Sequence, residues 1–491
     1  YNTWISSQGQ RKILIVNRKH QSYAARHKGE SMKKLVTVLC ALMCVCALGF
    51  AGGKKDAAKD SSIKLGIWPE DTLTGDIALH EGYVKTFNSL YPEITVVPAY
   101  YKYATDTFVP LAQSGQLPTI YDTWFTEPQK IINQGFAKDI TKEVKALGWD
   151  AKMNPGVLEL LSKDGKIYGV PRDAYALGLM INVDLFEEAG LTDKDGLPVY
   201  PKTWTELAET AKIIKDKTGS AGLCLLAKDN AGGWHFTNIA WDFGAVFEVQ
   251  KNGKWVAQVN TPEVVAAMQY VKDLKWKYDV LTADPTNEDW GTGFRAIGTG
   301  TAAMYIAAQD AVNQPTQVNG LPVTSLSLAP LPAGPKGQYS LMGGTPYMFS
   351  PDATSEQVAA CLKYLEIMGK SPEVTDAAIA GLAADAANRM NEGIPVISPF
   401  PAWSSQELEA ARKKAEDPYR NVDMRLYQDY YDMVTVKGNV KSEEPMCAQD
   451  LYAELTKVMQ AVLTDKNADV QALLDQAQVN FQRILDRDAN N

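Results

Sequence analysis

Gly165-Lys166-Ile167-Tyr168-Gly169-Val170-Pro171 leads into Leu179-Met180-Ile181-Asn182-Val183-Asp184-Leu185-Phe186-Glu187-Glu188-Ala189-Gly190-Leu191, and then into Pro201-Lys202-Thr203-Trp204-Thr205-Glu206-Leu207. The last of these blocks can be read from physical rules alone. Thr203 with Glu206 forms a capping box, and Trp204, Leu207, Ala208, Ala211 and Ile214 follow at helical spacing, so a helix starts at Trp204. Upstream, Ile63, Leu65 and Ile67 alternate with Lys64 and Gly66 as a strand; Leu79, Tyr83, Phe87 and Leu90 then mark a helix closed by Pro92, and Ile94 to Val97 reads as the next strand. Strand, helix, strand favours a parallel sheet with helices on its faces. Downstream, Thr261-Pro262 opens a helix with Val264, Met268 and Val271 on one side, and residues 406–485 are mostly helical around a polar break at 437–444. A single core of such length would be unusual, so two α/β lobes followed by helices are expected.

The chain has 491 residues. Met32, Lys33 and Lys34 precede an uncharged run from Leu35 to Phe50, a basic region leading into an apolar one, with Gly49 and Ala51 flanking Phe50 as a signal peptidase accepts. Residues 1–51 therefore read as an upstream extension plus signal peptide, and 52–62 as a flexible tether. The formal net charge is −9, and the chain beyond Ala51 is more acidic still. No basic stripe appears there, which disfavours a nucleic acid or an anionic membrane surface as partner. Of six cysteines, Cys40, Cys44 and Cys46 lie in the export segment; Cys224, Cys361 and Cys447 are too few and too scattered for a disulfide framework.

Several catalytic signatures fail on their own terms. His80-Glu81 begins a zinc-protease motif, but Val84 stands where the second histidine belongs, which leaves His80 as a helix-surface residue. Gly298, Gly300 and Ala303 have dinucleotide-fingerprint spacing, but a helix precedes them and a strand, Ala302 to Ile306, follows, the reverse of the required order. They read as a helix stop and a turn. No metal, cofactor or catalytic group is called for. The positive signal is aromatic: Trp68, Trp124, Trp234 and Trp290 stand in polar, loop-like surroundings. Indole stacks on the apolar faces of sugar rings while carboxylates, amides and guanidinium groups pair with the hydroxyls. Packing is the competing reading for each ring.

The opening blocks, together with Phe294-Arg295-Ala296-Ile297-Gly298-Thr299-Gly300-Thr301-Ala302-Ala303-Met304 and with Gly343-Gly344 followed by Phe349-Ser350-Pro351, resemble the extracellular solute-binding proteins that include maltose- and multiple-sugar-binding receptors. Leu117-Pro118-Thr119-Ile120-Tyr121-Asp122-Thr123-Trp124 is a weaker match, with Thr119 where the family often has Asp. The resemblance implies a two-lobed α/β fold of the type II periplasmic-binding-protein class, an N-lobe of 63–172 and 285–340, and a C-lobe of 173–284 and 341–491. It implies an ABC importer's binding protein, a monomer that takes a sugar between its lobes and presents it to a permease by hinge closure. The ligand contacts it implies are Trp68, Glu70, Asp122, Trp124 and Glu127 on the first lobe, Arg172, Asp173 and Tyr175 after the Val-Pro crossing, Trp234 and His235, Asp310, and Gly343, Gly344 and Tyr347 at the later crossing. Arg172 with Asp173 can equally be a structural ion pair, and the glycines a hinge or turn. Met43 and Val45 stand where a lipobox wants a small residue, so lipid-anchored and unanchored forms both stay open. Two rivals remain: a binding protein for a non-sugar solute, and a carbohydrate-active hydrolase, which needs two carboxylates across a scissile bond.

Overall fold

The computed structural model describes residues 62–436 and 438–490. The expected signal peptide and all but the last residue of the tether lie outside that range. Among the described residues thirteen strands are formed: β1 (Ile63–Trp68), β2 (Val96–Tyr100), β3 (Ile120–Asp122), β4 (Ser162–Lys163), β5 (Lys166–Ile167), β6 (Gly169–Asn182), β7 (Ala221–Cys224), β8 (Glu248–Lys251), β9 (Lys254–Ala257), β10 (Ala302–Ala308), β11 (Leu326–Ala329), β12 (Ser340–Phe349) and β13 (Val440–Ser442). Nine of them make one mixed sheet whose main path runs β2-β1-β3-β12-β6-β10-β7, while β4-β5 and β8-β9 are separate hairpins. The fold is the expected two-lobed α/β arrangement.

The local rules explain most elements. Ile63 and Leu65 of β1 are buried while Lys64 is exposed, the alternation of a half-covered strand. In the helix α1 (Thr74–Leu90) the expected apolar face is only partly used: Phe87 is fully buried, but Leu79 and Leu90 are exposed. Helix α2 (Trp204–Thr218) follows its cap as expected. The Thr203 hydroxyl accepts from the Glu206 amide at 3.2 Å, and Trp204, Leu207, Ala208, Ala211 and Ile214 are all buried. The Glu206 carboxylate reaches past Thr203 to the Lys202 amide at 2.8 Å, so the box closes one residue early. Helix α3 (Asp229–Phe243) lies where a loop was expected around Trp234, and α4 (Pro262–Trp276) buries Val264, Met268 and Val271. Helix α5 (Trp290–Gly298) ends before Gly300, whose φ of +70° makes the turn into β10, the helix-stop reading of that motif.

Strand β6 ties the halves together. Its first part, Gly169 to Ala176, pairs antiparallel with β12, and its second part, Leu177 to Asn182, pairs with β10 and β11. This pairing departs from the lobe boundaries expected above. Strands β10 and β11, placed in the N-lobe by the sequence reading, lie beside the far part of β6, and β10 also pairs in parallel with β7. Strand β12, assigned to the C-lobe, pairs with β3, and the helix α6 (Ser355–Ile367) after it packs on α1 and β1. The physical reason is the double crossing: β6 leaves the first sheet half and β12 returns to it, so the chain between them folds together. One core gathers Ile181, Trp204 and Met268 with Leu451 of α7 (Ala448–Thr464) and Phe481 of α8 (Val470–Asp488); another gathers Ile63, Phe87, Ile120, Trp149 and Phe349. No helix among the described residues is long and apolar enough to cross a membrane.

Candidate functional site

Parallel strands deliver their C-terminal ends to one edge of a sheet, and the loops that follow collect there. Trp68 ends β1 with Glu70 just beyond it, Tyr100 ends β2, and Asp122 ends β3. Arg172 on β6 and Tyr347 on β12 come in beside them. These residues line one cavity of about 340 Å³ together with His80, Tyr101, Lys102 and Lys370. Arg172 holds its centre: one guanidinium nitrogen lies 2.7 Å from Asp122 and another 3.2 Å from Asp173. The ion-pair reading of Arg172 and Asp173 is therefore realised, and Asp173 also accepts from the Thr345 amide at 3.1 Å. Burial pushes the Asp122 carboxyl above its ordinary range, against the opposing pull of Arg172. Glu70 accepts from the Tyr100 hydroxyl at 2.8 Å and lies 3.7 Å from the Lys102 ammonium.

Across the crossing strands lies a second group. Tyr175 fits because position 343 is glycine: a Cβ there would lie 2.2 Å from the Tyr175 hydroxyl. Its ring sits 6.4 Å from Trp234. Glu443 accepts from the Tyr452 hydroxyl at 2.9 Å and from the Trp234 side chain, and faces Glu127; burial first, then that like charge, push it up to about 8. Asp310 is exposed just beyond the end of β10. Desolvation and the nearby Asp173 carboxylate raise it to about 6.

Four expected contacts are not open to a ligand. Trp234 is on helix α3, not on a loop, and is 6% exposed, covered by His235 at 5.2 Å and Trp290 at 4.9 Å between ring centroids. His235 is fully buried; its Nδ1 accepts from the Leu226 amide at 3.5 Å, and burial drops it to about 3, so it is a neutral core group. Glu127 is buried, accepting from the Tyr103 hydroxyl at 2.7 Å. Gly344 lies inside β12, and the space a side chain would need is held by the Asp173 carbonyl oxygen, 2.5 Å from an ideal Cβ. Trp124 is open, 43% exposed, its ring edge-on to Tyr103 at 5.1 Å.

His80 corrects another expectation. It is half-buried in the cavity wall, 5.3 Å from the Trp68 ring, with Nδ1 unpartnered and its pKa lowered chiefly by burial. Sequence reasoning also missed Glu443, Lys370 and Tyr101-Lys102. Only the last left a signal, an aromatic and charged run directly after a strand. Lys370 arrives from a turn distant in sequence, its pKa lowered by burial despite the pull of Asp173.

Cys447, Asp450 and Asp488 bring ligand-type atoms within 4.8 Å of one another. Arg487 pairs with Asp488 at 2.6 Å, and burial pushes the Cys447 thiol up to about 12. A protonated thiol beside a committed carboxylate is a poor metal donor set.

A profile described as bacterial extracellular solute-binding protein matches residues 73–366. The arabinooligosaccharide-binding protein of Bacillus subtilis (strain 168) is 26% identical over 264 residues, covering 50% of this chain and 55% of the relative. The match thus spans about half the length of that relative. Two solved structures share the fold: an ABC transporter solute-binding protein from Thermotoga lettingae bound with α-D-tagatose (TM-score 0.66, 17% identity, 86% of this chain and 99% of that one), and maltose-bound MalE3 of T. maritima (TM-score 0.63, 20% identity, 86% and 99%).

Proposed function

Because the chain belongs to the bacterial extracellular solute-binding protein family, we propose that it is the exported, monomeric binding component of an ABC importer, taking a sugar between its lobes and delivering it to a membrane permease on closure. One observation carries the reading: a cavity of about 340 Å³ at the strand ends combines the Trp68 ring with Glu70, Asp122 and Arg172. A flat apolar face beside groups that donate and accept paired hydrogen bonds is what a sugar ring requires. The relatives named for arabinooligosaccharide, tagatose and maltose support the same class. The strand pairing supports a first lobe of about 63–176 with 343–369, and a second of about 177–340 with the C-terminal helices.

Hydrolysis finds less support. Glu127 and Glu443 face each other, but both are buried and engaged by tyrosine hydroxyls, which leaves no room for a glycosidic bond between them. The test is a thermal-shift screen with arabino-oligosaccharides, maltose, lactose and tagatose. A ligand at one hundred times its Kd stabilises the native state by about 2.7 kcal/mol, so at least one sugar should raise the melting temperature. No shift from any sugar, or release of new reducing ends from the oligosaccharides, would overturn the reading.

A further inference from the structure

Of the tryptophans among the described residues, Trp124 at 43% and Trp290 at 39% are the most exposed, whereas Trp149, Trp204, Trp234, Trp241 and Trp403 are buried. An indole left in water forfeits the burial that large aromatic side chains usually obtain, so its position needs a reason. Trp290 begins α5, which packs along β10 and runs opposite to it. β10 and its parallel neighbour β7 end at Ala308 and Cys224, so the start of α5 lies at the C-terminal end of these parallel strands, the end at which open α/β sheets collect their ligands. The ring is backed by Trp234 at 4.9 Å and Phe294 at 5.6 Å, and Trp234 in turn leads to Tyr175.

The mount is fixed as well. Asp289 caps α5, its carboxylate accepting from the Thr292 amide at 3.1 Å while the Asp289 amide donates to the Thr292 hydroxyl at 2.7 Å. Lys228, beside the start of α3, pairs with the same carboxylate at 2.7 Å. A ring held from behind and open in front is pre-organised for stacking.

Resting on the sugar reading above, we propose that Trp290 is the second lobe's stacking platform for the ligand, and that Trp234 is the support beneath it. The full chain, labelled with 5-fluorotryptophan, is titrated with arabinotriose, maltotriose and lactose. Fluorine NMR follows the Trp290 resonance, assigned by its loss in Trp290→Phe, and calorimetry gives Kd. The sugar that binds should shift that resonance, and Trp290→Ala should raise Kd about tenfold. Trp290→Phe, which keeps a ring over Trp234, should lose less. A resonance unmoved at saturation overturns the platform, even where Trp290→Ala weakens binding, because the ring would then act only through packing. Unchanged affinity in Trp290→Ala overturns it too. In both cases the parent still binds and the sugar reading stands; if the parent binds none of the three sugars, that reading and the platform fall together.

Discussion

Glu248 accepts the Met446 amide on Oε1 at 2.7 Å, while its Oε2 is buried without a partner and Glu444 adds a like charge nearby. Burial first, and Glu444 second, raise its carboxyl from an ordinary 4.5 to about 9. Cys447 and Lys441 are the other titratable groups in reach of this pair. A folded-state pKa above the unfolded one means that the native chain holds the proton more tightly. That contribution is complete below the unfolded value of about 4.5 and is lost as pH rises through about 9. Asp242 and Glu443, each near 8, and Glu444, near 7, act in the same direction. Denaturation curves should therefore show stability falling from about pH 5 to pH 9, with Glu248 among the groups responsible. Glu248→Gln, with an uncharged amide in place of the acid, should flatten this slope; a variant as pH-sensitive as its parent would show that Glu248 is not the group responsible.

At the level of elements, α3 shows both what could be read and what could not. Gly232 and Gly233 beside Asp229 and Asn230 have the composition of a loop, since glycine weakens a helix interior by about 1 kcal/mol relative to alanine. The structure spends that cost on a close crossing: a Cβ at Gly233 would lie 2.2 Å from the Tyr452 carbonyl oxygen on α7. Local rules cannot see a neighbour more than 200 residues away in sequence, so Trp234 and His235 were read as loop groups reachable by a ligand. Helix α2 was legible because its cap and its buried stripe are local. Trp68, Asp122 and Arg172, read as neighbours from the sequence, do line one cavity, because β1 and β3 end there and β6 passes beside them. Lys370 and Glu443 were not legible, because long-range packing alone brings them in. Gly233→Ala should cost about 2–3 kcal/mol in urea unfolding by forcing two backbones apart. Gly381→Ala, on a helix with nothing within 4 Å of the new methyl, should instead be neutral or stabilise by about 0.5–1 kcal/mol. Equal effects at both sites would remove the close crossing as the reason for Gly233.

For the molecule as a whole, two lobes joined through β6 and β12 can change their angle by small rotations in those strands and in the contacts that bridge them. The Gln449 amide lies 3.4 Å from the Thr126 hydroxyl and the Asn133 amide 3.5 Å from the Met446 sulfur, contacts between the two sides of the kind a hinge motion can exchange. Small-angle scattering should show a smaller radius of gyration at saturating sugar, since ligand contacts on both walls favour the closed population. An unchanged value with proven binding would leave recognition without a closure signal. The same crossing strands also set a clock. Strand β12 supplies partners to β3, β6 and β13, and α7 covers α3, so the decisive pairings join residues hundreds of positions apart. A nascent chain reaching only Ala329 lacks the strand that completes its first sheet half, and folding dominated by such distant pairings is slow. During synthesis the polypeptide therefore cannot complete its first sheet half until β12 has been made, and a chain cut short of that strand leaves β3 and the start of β6 without their partner.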